Sequence, residues 1–296
     1  MIEDESKRQI CMSDKRGALR EVPHTDRISE RRIDGTAGRE HSEILMQMIF
    51  PEFSGSDCKR ACVSLGMASK LLETGPSPSL RDQLQTFIGD RDFPCVGAKS
   101  ALANDMLRVV EARDLTSGWN DLEIHRELLG WARAYKADPT GLRSLAVVFR
   151  EPGGLDEPAF EQALWARIQS LADKDAWKGI PYDPRVCAEP DNPHFSLSFG
   201  GEAFFVVGLH PQASRPARRF GKPALVFNLH DQFDRLRADG RYERMRERIL
   251  DRDRELAGSV NPMLARHGEA SEAAQYSGRL VEDDWTCPFR DPRAEP

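Results

Sequence analysis

Residues 195–210 read Phe-Ser-Leu-Ser-Phe-Gly-Gly-Glu-Ala-Phe-Phe-Val-Val-Gly-Leu-His. Phe195, Leu197 and Phe199 alternate with Ser196 and Ser198, which places the three apolar side chains on one face of a strand. Gly200-Gly201 interrupts the run and Glu202 to His210 resumes it as extended apolar sequence, the pattern of a hairpin. Working outward, ALVFNL at 224–229 and LAVVF at 145–149 are short apolar runs, and both read as strands. At least four strands are therefore expected, and the hairpin makes their sheet mainly antiparallel.

Helical spacing fills the intervals between them. Leu80 opens a short helix over 80–87, and 89–94 form a loop that delivers Cys95 to a helix running to about residue 114, with Leu102, Met106 and Val109/Val110 in step. Residues 120–136 form the next helix, with Leu128, Trp131 and Tyr135 on its apolar side. Pro158 suits a helix start, and Phe160, Leu164, Ile168 and Leu171 follow at three- and four-residue steps. The Pro- and Asp-rich stretch 177–193 reads as a surface loop, and two more helices follow residue 231 and residue 241. The expected fold is a single α+β domain over 80–290, with a mainly antiparallel sheet of four or more strands flanked by helices. Residues 291–296 are a tail and 43–79 a poorly defined lead-in. Residues 1–42 contain nine basic and nine acidic side chains and no aromatic one, so they read as a disordered extension or a mis-assigned start.

Composition narrows the function. The 296-residue chain has a formal charge of −6, the wrong sign for a protein whose main partner is a phosphate backbone, so no nucleic-acid partner is expected. No apolar run approaches the roughly 20 residues of a membrane span, and the charged N-terminus lacks the apolar core of a secretory signal. A cytoplasmic protein without a membrane partner is expected. Its six dispersed cysteines are then free thiols or metal ligands rather than a disulfide framework. Walker A, Rossmann, HExxH and Gly-x-Ser-x-Gly strings do not occur.

Three places offer chemistry. Cys95 begins the string Cys-x-Gly-x-x-x-Ala at a helix start, where unpaired N–H groups and the helix dipole favour a thiolate, and Gly97 permits close approach of something flat. Over one turn this is how P450 enzymes hold haem iron; a small buried cysteine at a helix start is the plain alternative. The second place is 208–220, GLHPQASRPARRF. His210 could hold iron and Arg215, Arg218 and Arg219 propionates, or the loop could bind an anionic metabolite, or it is a solvated basic loop. Carboxylates are the third. Glu202, just after the two glycines, either receives a cationic substrate or is an exposed turn residue. Glu269 and Glu272 share a helix face with Gln275 and Tyr276, a catalytic pair or a solvated surface.

Taken together, FPCVGAKSAL (93–102), SFGGEAFFVVGLHPQASRPARRF (198–220), ALVFNLHDQFDRLR (224–237), NPMLARHGEASEAAQYSGR (261–279) and CPF (287–289) resemble the YqcI/YcgG family. The resemblance implies a cytoplasmic bacterial protein, some of whose relatives are haem-dependent N-oxygenases that hydroxylate a guanidino or amino nitrogen of a small substrate. On that footing haem b and molecular oxygen are the expected cofactor and co-substrate, with electrons from a separate redox partner. Cys95 would ligate iron, with His210 as the alternative; Gly97, Arg215, Arg218 and Arg219 would hold the cofactor or a substrate carboxylate. Glu202, with Glu269, would receive the substrate cation. A haem-binding sensor without turnover and a haem-free protein that binds an anionic metabolite through residues 215–219 are the competing expectations.

Overall fold

The computed structural model describes residues 77–263 and 270–294, and these form an α+β unit with six α-helices and one five-stranded sheet. Helix α1 (Leu80–Gly89) starts where it does because Ser79 caps it: its hydroxyl accepts from the Asp82 amide, and the Asp82 carboxylate accepts from the Ser79 amide, both at 3.1 Å. Helix α2 (Val96–Ala103) follows, then strand β1 (Leu107–Asp114), helix α3 (Asp121–Ala137) and strand β2 (Ser144–Glu151). Helix α4 (Glu157–Trp177), strands β3 (Leu197–Phe199), β4 (Glu202–Leu209) and β5 (Ala224–Leu229), and helices α5 (Asp231–Ala238) and α6 (Tyr242–Ala257) complete the order.

The strands lie in the order β1-β2-β5-β4-β3. Pairings β2–β5, β5–β4 and β4–β3 are antiparallel and β1–β2 is parallel. The hairpin turn is Gly200-Gly201, with φ of 65° and 73°; a two-residue turn that needs positive φ at both central positions favours this pair.

One element departs from the expectation. The helix begun at Cys95 ends at Ala103, and the stretch 107–114, whose Val109/Val110 spacing fits a helix, is strand β1. Asn104 caps the helix and Asp105 adopts φ 55°, the left-handed conformation an aspartate tolerates, so the chain turns before Leu107. The alternative helical register loses because β1 pairs with β2 along its length, from Leu107↔Ser144 to Asp114↔Glu151. The α3 connection between β1 and β2 accounts for the parallel pair, since parallel neighbours need a crossover rather than a tight turn.

Both faces of the sheet are covered. Along β2, Leu145, Val147 and Phe149 join a core with α3 and α4 residues such as Leu128, Phe160 and Leu164, while Ala146 and Val148 face a second core with Leu80, Leu84 and Ile88 of α1. Burial on both sides explains why β2 reads as an unbroken apolar run rather than an alternating one. Among the described residues no helix is long and apolar enough to cross a membrane.

Candidate functional site

The second face of the sheet is only partly filled by α1. Val207 of β4 and Val226 of β5 belong to that core and also line a cavity of about 320 Å³, the size of a small-molecule site. Its other walls come from the start of α2 (Pro94, Cys95, Gly97, Ala98), one side of α6 (Tyr242, Met245, Ile249), and the 3₁₀ turns Pro216–Arg218 and Glu272–Gln275. Most of the lining is apolar; its polar groups include Ser144, Asn228, Gln232, Asp253, Glu272, His230 and the arginines Arg215, Arg218, Arg237 and Arg246.

Cys95 is the residue before the first turn of α2, and its sulfur accepts from the Ala98 amide at 3.4 Å. The sequence favours a thiolate at this place. In the folded chain burial pushes the Cys95 thiol above its ordinary value and outweighs the opposing effects of the Ala98 and Gly97 amides and the Arg218 charge. A Cβ at Gly97 would stand 3.8 Å from the Cys95 sulfur and 3.7 Å from Leu142 Cδ1, so the missing side chain leaves open the space beside the sulfur.

Arg218 lines the same cavity and is the cation coupled to Cys95. It is partly buried, with no carboxylate in contact among the described residues. Instead its Nη1 donates to the carbonyls of Gly208 (3.0 Å) and Tyr276 (3.2 Å), and its Nη2 donates to that of Gln275 (2.9 Å). Burial lowers its pKa to about 10, which still leaves it charged at neutral pH. Arg215 also lines the cavity; it pairs with Asp253 and donates to Ser259, and its Nε is buried without a partner.

The other singled-out residues lie elsewhere. Arg219 donates to the carbonyls of Ala213 and Ser214, both at 2.9 Å, and does not line the cavity. His210 is buried with its ring stacked on Phe160 at 4.3 Å and its Nδ1 unpartnered, and it too stands outside the lining. Glu202 is buried, but its two oxygens are held at 3.0 Å by Lys136 Nζ and at 2.7 Å by Arg185 Nη2. The cation Glu202 receives is thus the chain's own Arg185, for the reason that made the residue notable: a buried carboxylate needs a partner. Glu269 lies outside the described residues.

Glu272 is the lining carboxylate whose environment the sequence does not reveal. It opens a 3₁₀ turn (Glu272–Gln275) after Ser271, and the Tyr276 hydroxyl four residues on donates to its Oε1 at 2.6 Å. The Ser196 hydroxyl, from the segment before β3, lies 2.9 Å from the same oxygen. Burial raises the Glu272 pKa, against the opposing charge of His230 and the hydrogen bond from Tyr276. The spacing to Gln275 and Tyr276 marks this face; the contact with Ser196, 76 residues away in sequence, leaves no local trace.

The protein is thus an α+β domain whose mainly antiparallel sheet forms one wall of an apolar cavity lined by Cys95, Arg215, Arg218 and the partly buried Glu272. The model of the YqcI/YcgG family matches residues 84–290, and the chain belongs to that family. It is 27% identical over 216 residues to the uncharacterized protein YcgG of Bacillus subtilis strain 168, covering 69% of this chain and 84% of that one. To the uncharacterized protein YqcI of the same organism it is 26% identical over 234 residues, 74% and 91% of the two chains. No solved structure matches the chain significantly.

Proposed function

We propose that the chain is a haem-dependent monooxygenase that hydroxylates a guanidino or amino nitrogen of a small substrate, with molecular oxygen as co-substrate and electrons from a separate protein. The observation that carries this reading is the meeting of Cys95, Gly97, Arg215 and Arg218 on one apolar cavity, although Cys95 and Arg218 are 123 residues apart in sequence. The donor set suits the group: one thiol beside a space that a single Cβ would enter, apolar walls, and a buried arginine nitrogen without a partner.

In this reading Cys95 would hold the iron, and Arg215 and Arg218 would supply positive charge for the cofactor carboxylates. Haem supplies oxygen activation, and a thiolate ligand favours O–O cleavage. The chain's own residues provide the surroundings. Arg218 sets a fixed positive charge near the Cys95 sulfur, which favours the ionised ligand once the thiol proton has left. Val207, Leu209 and Val226 on the sheet side and Met245 and Ile249 on the α6 side keep water from the reacting end.

The test is an absorption spectrum of protein expressed with a haem precursor, before and after reduction under carbon monoxide. A strongly red-shifted Soret band that disappears in Cys95→Ala supports the reading. No Soret band in the parent chain, or the same band in the variant, overturns it.

A further inference from the structure

Among the described residues two carboxylates line the cavity, and they differ in their charge partners. Asp253 is ion-paired: its Oδ2 meets Arg215 and accepts from the Asn261 amide at 3.2 Å. Glu272 has no ion pair among the described residues: its two hydrogen-bond partners, the Ser196 and Tyr276 hydroxyls, are neutral and both lie on Oε1. A carboxylate has room for about four hydrogen bonds, so half of this one remains available. The side chain is also held in place, by Tyr276 from its own turn and by Ser196 from the segment leading into β3. Arg218 fastens that turn in turn, through the Gln275 and Tyr276 carbonyls. One arginine therefore links the Cys95 end of the cavity to the Glu272 end.

We propose that Glu272, rather than Glu202, receives the cationic nitrogen of the substrate, a guanidinium or ammonium that donates to Oε2 while the rest of the molecule lies along the apolar sheet wall. This assignment rests on the monooxygenase reading for the reaction that follows, but its recognition step needs only the cavity. A carboxylate partly withdrawn from water, with one oxygen unpaired, carries a desolvation cost that an N–H donor of opposite charge offsets. The neighbouring basic groups have partners of their own: Arg215 pairs with Asp253, Arg237 and His230 share Asp234, and Arg218 is directed to backbone carbonyls. Tyr276 and Ser196 meanwhile restrain Glu272 from swinging toward any of them, so Oε2 keeps its place.

The experiment is a calorimetric titration of the full chain, purified after expression with a haem precursor, with methylguanidinium chloride and with N-methylurea as its neutral match. The parent chain is expected to bind methylguanidinium and to bind methylurea at least tenfold more weakly. Glu272→Gln retains an Oε1 that accepts from Tyr276 but lacks the charge, and is expected to lose about 10- to 100-fold in methylguanidinium affinity. Glu272→Asp keeps the charge and is expected to fall between the two. Equal binding by Glu272→Gln and the parent chain overturns the proposal. So does a parent chain that fails to prefer methylguanidinium over methylurea, a result that stands even if the glutamine variant does not fold. The absorption spectrum of the same samples separates the two claims. Cation binding that depends on Glu272 in protein without a Soret band removes the haem reading and leaves this site; a Soret band with binding indifferent to Glu272 does the reverse.

Discussion

Gly97→Ala separates a glycine kept for a ligand from one kept for the fold, because the two roles predict opposite signs. Gly97 lies in the first turn of α2 with no positive φ, and the nearest atoms to an added Cβ are Leu142 Cδ1 at 3.7 Å and Cys95 Sγ at 3.8 Å, both ordinary contact distances. Nothing has to move to admit the methyl group. Alanine is favoured over glycine in a helix interior by roughly 0.5–1 kcal/mol, less in a first turn, so the variant should be more stable by up to about 0.7 kcal/mol. That methyl, however, occupies the space immediately beside the sulfur, through which any flat ligand bonded to Cys95 extends. Urea unfolding of the haem-free chain should show a midpoint equal to or above the parent's, while haem titration followed at the Soret band should show at least tenfold weaker binding. A variant that gains stability and binds haem as tightly as the parent refutes the cradle argument. A variant that loses stability refutes the packing argument instead.

Three further outcomes follow from the buried polar groups. Glu202→Gln weakens the contacts with Lys136 and Arg185 and should cost about 1–3 kcal/mol in urea unfolding, while leaving methylguanidinium affinity unchanged; weakened affinity at native stability would return the cation-receiving role to Glu202. Asp175 is fully buried and accepts from the Gly200 amide at 2.8 Å and from Arg293 at 3.0 Å, with His125 Nε2 2.6 Å away, so Asp175→Ala should cost about 3–5 kcal/mol by the same assay; a loss under 1 kcal/mol would show that network to be slack. Burial works to raise the Asp183 carboxyl, but the hydrogen bonds from Arg185 and the Ala203 amide overcome it and hold the pKa below the ordinary 3.8. Its folded value being the lower one, Asp183 contributes stability in full above about pH 4 and loses it as pH falls further, so Asp183→Asn should flatten the decline of the urea midpoint below pH 4; an unchanged slope would refute the assignment.

Much of the sheet was legible because its signals are local. Gly200-Gly201 between two apolar runs specifies a two-residue turn, and β5 at Ala224–Leu229 coincides with the apolar run itself. Strand β1 was not legible, since Leu102, Met106 and Val109/Val110 satisfy a helical period and the deciding fact is the pairing with β2. Asn104-Asp105 carried the stop signal, which the periodicity outweighed. The site divides in the same way. Cys95 and Gly97 stand out by their place at a helix start, and Arg215 and Arg218 by charge, and all four line the cavity. Glu202 stands out equally, yet its partner Arg185 comes from a loop with no pattern of its own. Glu272 sits in a polar-looking string, and its contact with Ser196 comes from 76 residues away, which no local reading reveals.

Haem ligation by Cys95 within this cavity is read from the reduced, carbon monoxide-bound absorption spectrum of the parent chain beside that of Cys95→Ala, both expressed with a haem precursor. A strongly red-shifted Soret band is expected in the parent chain and lost in the variant. A parent chain without a Soret band, or two identical spectra, would contradict it.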